Sequence, residues 1–186
     1  GSIAGGGAFG ASVGIGVSAA YNDIGNRVAA RVDGSQLRTA GSVIADAESA
    51  ADMKTLGVGI GASSGGAGLA GSLSINKMRN EVVAEIVNGA TVHADGNVRV
   101  GAANRNSLLV IAGSASGASS VGGGGAVVVN IVDNDTTAAI TDSDATADAN
   151  GNGLAVHTGE KDLADEDEDA AETVKGVIVE AYGRED

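Results

Sequence analysis

Residues 76–86 read Asn76-Lys77-Met78-Arg79-Asn80-Glu81-Val82-Val83-Ala84-Glu85-Ile86. Two further copies of this phrase decide the fold. The first is Asn22-Asp23-Ile24-Gly25-Asn26-Arg27-Val28-Ala29-Ala30-Arg31-Val32. The last is Asn130-Ile131-Val132-Asp133-Asn134-Asp135-Thr136-Thr137-Ala138-Ala139-Ile140. The copies start at 22, 76 and 130, 54 residues apart. Each follows an uncharged or weakly charged stretch rich in Gly, Ser and Ala (1–22, 55–76 and 107–132). A repeat this long means stacked supersecondary units rather than one globular enzyme core.

Within each phrase the apolar residues fall at every second position. Val28, Ala30 and Val32 alternate with Arg27, Ala29 and Arg31; Val82, Ala84 and Ile86 alternate with Glu81, Val83 and Glu85. Thr136, Ala138 and Ile140 repeat the pattern. Period two over five or six residues is a half-buried strand. The glycine-rich phases alternate as well, at Gly14-Ile15-Gly16-Val17 and Gly57-Val58-Gly59-Ile60. Glycine there permits close backbone approach. Short strands follow turns at Gly34 and Gly89: Leu37 matches Val92, and 41–45 matches 96–100. The third copy of the latter is expected at Gly153-Leu154-Ala155-Val156. A coil of roughly 20 residues would make each repeat two or three coils. The whole chain would then hold about seven to nine, a rod roughly 35–45 Å long at the usual strand spacing.

Composition agrees with thin layers. The 186 residues include 31 Gly but no Pro, Cys or Trp, and aromatics are 2% of the chain. The apolar 43% is mostly Ala and Val. The formal net charge of −13 disfavours nucleic acid, which needs Lys and Arg against its phosphates, and equally an anionic membrane surface. Without Cys there is no thiol catalysis and no Cys-based zinc site. The opening lacks a charged segment followed by an apolar run, so no signal peptide is read there. The repeat begins and ends mid-phrase, as expected of a fragment of a longer chain. The uncharged stretches are long enough to span a bilayer, but their Ser and Gly content and a mean hydropathy of +0.12 speak against a transmembrane segment.

The expected organisation is one β-helix segment over 1–186. Its repeat copies run about 5–58, 59–112 and 113–158, with an acidic loop insertion at 159–173 and a final strand at 174–182. The recurring Asn22, Asn76, Asn130 and Asn26, Asn80, Asn134 are read as corner residues, since Asn tolerates turn geometry. Stacked Asn side chains can also form hydrogen-bonded ladders.

The phrase Gly71-Ser72-Leu73-Ser74-Ile75-Asn76 through Ile86, followed by Gly89-Ala90-Thr91-Val92 and Ala94-Asp95-Gly96 through Ala102, resembles the repeats of large bacterial exoproteins. These include filamentous-haemagglutinin-like adhesins of two-partner secretion, leukotoxin-type repeat proteins and autotransporter passengers. The resemblance covers nearly all the chain. It implies a right-handed parallel β-helix, export across an outer membrane, and a stalk or adhesin at the cell surface.

Residues that could carry chemistry are few. Asp148-Ala149-Asn150-Gly151-Asn152-Gly153 matches the first half of a D-x-[DN]-x-[DN]-G calcium loop, so Asp148, Asn150 and Asn152 are the candidate metal ligands. The competing reading is an Asn/Gly turn. The acidic run 162–169 reads as solvated surface that could hold cations loosely. Gly5, Gly7 and Gly10 formally fit a dinucleotide fingerprint but lack its βαβ context. Neither His93 nor His157 recurs in the other repeats, and alternation points His93 outward, away from a catalytic role. The expectation is an all-β structural and adhesive stalk segment, not an enzyme, with no cofactor except possible calcium. It would be secreted or on the bacterial outer surface and meet host or neighbouring cells, or copies of itself. The alternatives are a self-assembling extracellular fibre subunit and a β-helical polysaccharide-active enzyme.

Overall fold

The structure is a computed structural model, and it describes residues 1–161 and 169–185. Every described element is a strand. Each turn of the chain uses three: two long and one short. The first coil is β1 (Ser2–Gly10), β2 (Val13–Asp33) and β3 (Gln36–Thr39). The second is β4 (Val43–Ser63), β5 (Ala67–Val87) and β6 (Thr91–Ala94). The third is β7 (Val98–Ala118), β8 (Val121–Ile140) and β9 (Asp144–Ala147). A hairpin of β10 (Leu154–Lys161) and β11 (Asp169–Val174) follows, and β12 (Val177–Glu185) opens a fourth layer.

Strands stack on their counterparts in parallel, in three sheets of order β1-β4-β7-β12, β2-β5-β8 and β3-β6-β9. Asn22 pairs with Asn76 and Asn76 with Asn130, so a 54-residue step in sequence is a single layer in space. This corrects the coil count. Two or three short coils per repeat would place those asparagines several layers apart. The coil is instead wide, because alternation continues without a break through the glycine-rich phase, giving 21-residue strands in place of short ones.

Along those strands the two long sheets diverge in one direction and converge in the other. At the wide end Val82, Ile86, Val92, Val98 and Val100 are wholly buried, and the short third sheet closes the gap. The turns there need left-handed backbone and find it at Gly34 (φ 53°), Asn88 (φ 61°), Gly89 (φ 73°) and Asp142 (φ 49°). Gly, Asn and Asp are the residue types that tolerate it. At the narrow end the sheets touch through glycine. A Cβ on Gly61 would lie 1.8 Å from the Leu69 carbonyl oxygen, and one on Gly16 1.8 Å from that of Ile60.

Between the ends lie the asparagines. They sit in mid-strand facing inward, not at corners, with Asn76 and Asn80 almost fully buried. Asn22 Nδ2 donates to Asn76 Oδ1, and Asn76 Nδ2 to Asn130 Oδ1, each at 2.8 Å. A second set crosses between the sheets: Asn80 Nδ2 donates to Asn106 Oδ1 (2.7 Å) and Asn106 Nδ2 to Asn134 Oδ1 (2.9 Å). An amide carries both a donor and an acceptor, so in the first set each layer answers the next at the spacing that the backbone ladder already sets, whereas in the second Asn80 only donates and its Oδ1 has no hydrogen-bond partner among the described residues. Met53 and Met78 pack between the two sets.

The acidic insertion also differs from the expected loop. Its flanks form an antiparallel hairpin in which Leu154 pairs with Val174 and His157 with Ala171. The centre of the acidic run, 162–168, lies outside the described residues. Leu154-Ala155-Val156 is therefore not the third copy of the 96–100 strand. That position belongs to β12, where Val177 pairs with Val98. The final strand starts at Val177, since Val174 ends the hairpin.

Candidate functional site

Among the described residues, three features of the surface could do something chemical. The first lies at the turn after the short sheet. Thr91–Ala94 and Asp144–Ala147 pair in register, so His93 stacks on Thr146, and Asp95 and Asp148 follow as the next residue of each layer. Backbone bonds fix both acidic residues: the Asp95 N–H donates to Thr39 O (3.0 Å) and the Asp148 N–H to Ala94 O (2.9 Å). His93 Nε2 lies 3.7 Å from Asp95 Oδ1 and 3.8 Å from Asp148 Oδ2. All three ligand atoms fall within 4.8 Å of one another.

Of the residues read from sequence as a calcium loop, only Asp148 joins this cluster. Asn150 and Asn152 are exposed on the following turn, which Ala149 (φ 59°) and Gly151 (φ 85°) bend. Their fixed contacts are backbone ones. The Asn150 N–H donates to Asp95 O (3.0 Å), and Asn152 O accepts from Asn97 Nδ2 (2.8 Å). His93 and Asp95 were missed, although a signal existed. Residues 91–95 align with 144–148, and in both the last residue is Asp after Ala.

The second feature seats the hairpin on the outer face of the β4-β7-β12 sheet. Glu180, 8% exposed, accepts at Oε1 from the His157 backbone N–H (2.7 Å) and from its Nδ1 (2.8 Å). Its Oε2 lies 3.3 Å from Arg99 Nη2. Arg99 Nη1 also donates to Ala155 O (2.8 Å), and its Nε lies 3.3 Å from Asp46. With Nδ1 donating to Glu180, His157 Nε2 is an acceptor, and Arg105 Nη2 fills it at 3.2 Å. The imidazole also stacks on Tyr182 (4.7 Å between centroids). Arg105 pairs with Glu48 on its other side. Both nitrogens of His157 are therefore committed, and the group works as a clamp. Burial pushes the Asp46 carboxyl above its ordinary value of 3.8, with Glu180 and Glu48 adding to the rise and Arg99 opposing it. No local spacing announces this cluster. The hairpin insertion brings it together, through a 79-residue step between Val98 and Val177.

The third feature is apolar. Where the interior is lined mostly by Gly, Ala and Ser, the alternating large residues point outward: Ile15, Leu69 and Leu73 on one face, Leu56, Ile60 and Ile111 on the other, all more than one-third exposed. The dinucleotide-like glycines Gly5, Gly7 and Gly10 lie inside β1, paired along β4, and form no phosphate-binding loop. Among the described residues no helix is long and apolar enough to cross a membrane. Comparison with protein-family models, curated proteins and solved structures returned no match to this chain.

Proposed function

We propose that this chain is a structural and adhesive stalk segment of a secreted or surface-anchored bacterial adhesin, a right-handed parallel β-helix with coils of about 54 residues and no catalytic role. The observation that carries the reading is the uninterrupted parallel ladder across β2, β5 and β8, residue for residue over a full strand length. Such a ladder extends by adding coils, and each coil adds outward surface at constant width. Right-handedness follows the strong preference of parallel crossover connections. The Asn ladders and the glycine contact make the rod stiff, and the outward charges, such as Arg27 with Glu81, keep the broad half soluble.

The fibre reading has one observation of its own in favour. The outward apolar arm offers a surface that copies of the chain could share. The discriminating experiment coats beads with the chain and measures retention on epithelial and bacterial cell layers. Saturable retention, competed by free chain, is the expected result. Retention no better than on beads carrying an unrelated acidic protein would overturn the adhesive role. Concentration-dependent filaments in the microscope would move the assignment to the fibre, and product released from acidic polysaccharides would move it to the enzyme.

A further inference from the structure

The turn cluster of His93, Asp95 and Asp148 poses a problem that its own contacts do not solve. Asp95 and Asp148 are like charges in adjacent layers, and directly stacked like charges destabilise a sheet. The neighbouring layer differs: the residue after Thr39 is Ala40, and Arg38 occupies the His93 column. The acidic pair is therefore special to the junction of the second and third coils.

His93 turns Nε2 toward the acidic pair and Nδ1 toward Thr146. The Thr146 hydroxyl donates to Val92 O (3.2 Å), so toward His93 Nδ1, 3.4 Å away, it can only accept. In the tautomer with the proton on Nδ1, Nε2 keeps its lone pair. That lone pair is aimed between two carboxylate oxygens at 3.7 and 3.8 Å. A cation bound at about 2.1 Å to each ligand would set neighbouring ligands about 3.4 Å apart in a tetrahedral site. The two separations from His93 stand at 3.7 and 3.8 Å, and the ligand atoms all lie within 4.8 Å of one another, so the solvent-accessible carboxylates close on the ion by rotating their side chains. Imidazole held through its other N–H by an oxygen acceptor is also the usual support for a metal-binding histidine.

From this geometry we infer that His93 Nε2, Asp95 and Asp148 bind a divalent transition-metal ion of the Zn²⁺ class, one position being left for water. One imidazole nitrogen beside two carboxylates suits Zn²⁺ better than Ca²⁺, which takes six to eight oxygens. The ion would add a side-chain link between the second and third coils at a turn that backbone bonds already hold in register. This goes beyond the stalk reading and does not depend on it.

The test is calorimetric titration of the full chain with Zn²⁺, alone and in excess Ca²⁺, followed by NMR of the two histidine rings. One saturating equivalent is expected, with the His93 resonances shifting and those of His157 unmoved. His93→Gln and Asp148→Asn should each weaken binding at least about tenfold. Asp95→Asn is the third variant, and far-ultraviolet circular dichroism shows which of the three remain folded. Zn²⁺ binding undiminished in a folded variant would overturn the site and place the ion elsewhere, for example on the acidic segment. An unmoved His93 signal at saturation, or displacement of Zn²⁺ by equimolar Ca²⁺, would overturn it as well.

Discussion

In the second coil the wide and narrow halves obey the same alternation with opposite signs. In the wide half Val82, Ala84 and Ile86 point in and Glu81 and Glu85 point out. In the narrow half Gly57, Gly59 and Gly61 point in, and Leu56, Val58 and Ile60 point out. The difference lies in the gap between the sheets. Where the third sheet props them apart, apolar side chains fill the interior and burial drives folding. Where they meet without it, the interior takes only Gly, Ala and Ser; at Gly16, Gly59 and Gly61 a methyl group would strike the facing backbone, and the apolar members of the pattern are turned to the surface. Period two identifies a strand. The distance to the facing backbone decides which side is the core.

Substitutions can break this contrast in order of size. The largest loss is expected for Gly61→Ala, whose Cβ meets the Leu69 backbone at 1.8 Å. Backbone cannot rotate out of the way, so the cost is put at about 3 kcal/mol or more, the severe end of overpacking. Gly113→Ala, with nothing within 4 Å of the new Cβ, should stay within about 0.5 kcal/mol. Urea midpoints of the two variants measure the difference directly.

Next comes the apolar comparison. Ile86→Ala, at a wholly buried site, should lose roughly 2–4 kcal/mol, whereas Leu73→Ala, 39% exposed on the outer face of the arm, should be nearly neutral. Equal losses would mean that the arm's outer face is covered in solution. Smaller again is Asn76→Ala in the polar middle. It removes the acceptor that the buried Thr55 hydroxyl and the Asn22 amide share at Asn76 Oδ1 and the donor to Asn130 Oδ1, and about 1–3 kcal/mol is expected in the same urea titration.

The smallest effect is electrostatic. The Asp46 carboxyl is raised above 3.8 in the folded chain, so folding favours its protonated form. Its contribution is most favourable below the unfolded value and is lost as pH rises through the folded one. Asp46→Asn should therefore gain stability relative to the parent between acid and neutral pH. Thermal midpoints of the two proteins across that range read the sign, and a difference that runs the other way would make the Arg99 pair dominant. Asp46 is substantially exposed, so the change is small.

The residues explain what was legible and what was not. Strand character, parallel stacking and the inward set Val82, Ala84, Ile86 could be read because alternation is local. The coil width could not be read, because a glycine strand with its large residues outside looks the same as a short buried strand in a narrow coil. The asparagines looked like corners because Asn is common in turns; only the layer spacing shows that Asn76 is answered by Asn22 and Asn130. Asp148 was visible through its Asn/Gly context, but its partners His93 and Asp95 lie a coil away. The clamp of Glu180, His157 and Arg99 left no trace at all, since the hairpin breaks the repeat step that would have aligned them.

The central claim is that one 54-residue step is one layer. The chain has no cysteine, so a pair can be placed without background. Leu73 and Val127 are register partners, 54 residues apart, and both face outward. In adjacent parallel strands their Cα atoms sit about 4.8 Å apart, inside disulfide range. Leu73→Cys with Val127→Cys should oxidise to an intramolecular disulfide in the folded monomer and raise its unfolding midpoint. If two or three coils filled each repeat, the same residues would stand about 10–14 Å apart. A pair that stays reduced, or that links only between molecules, would contradict the account.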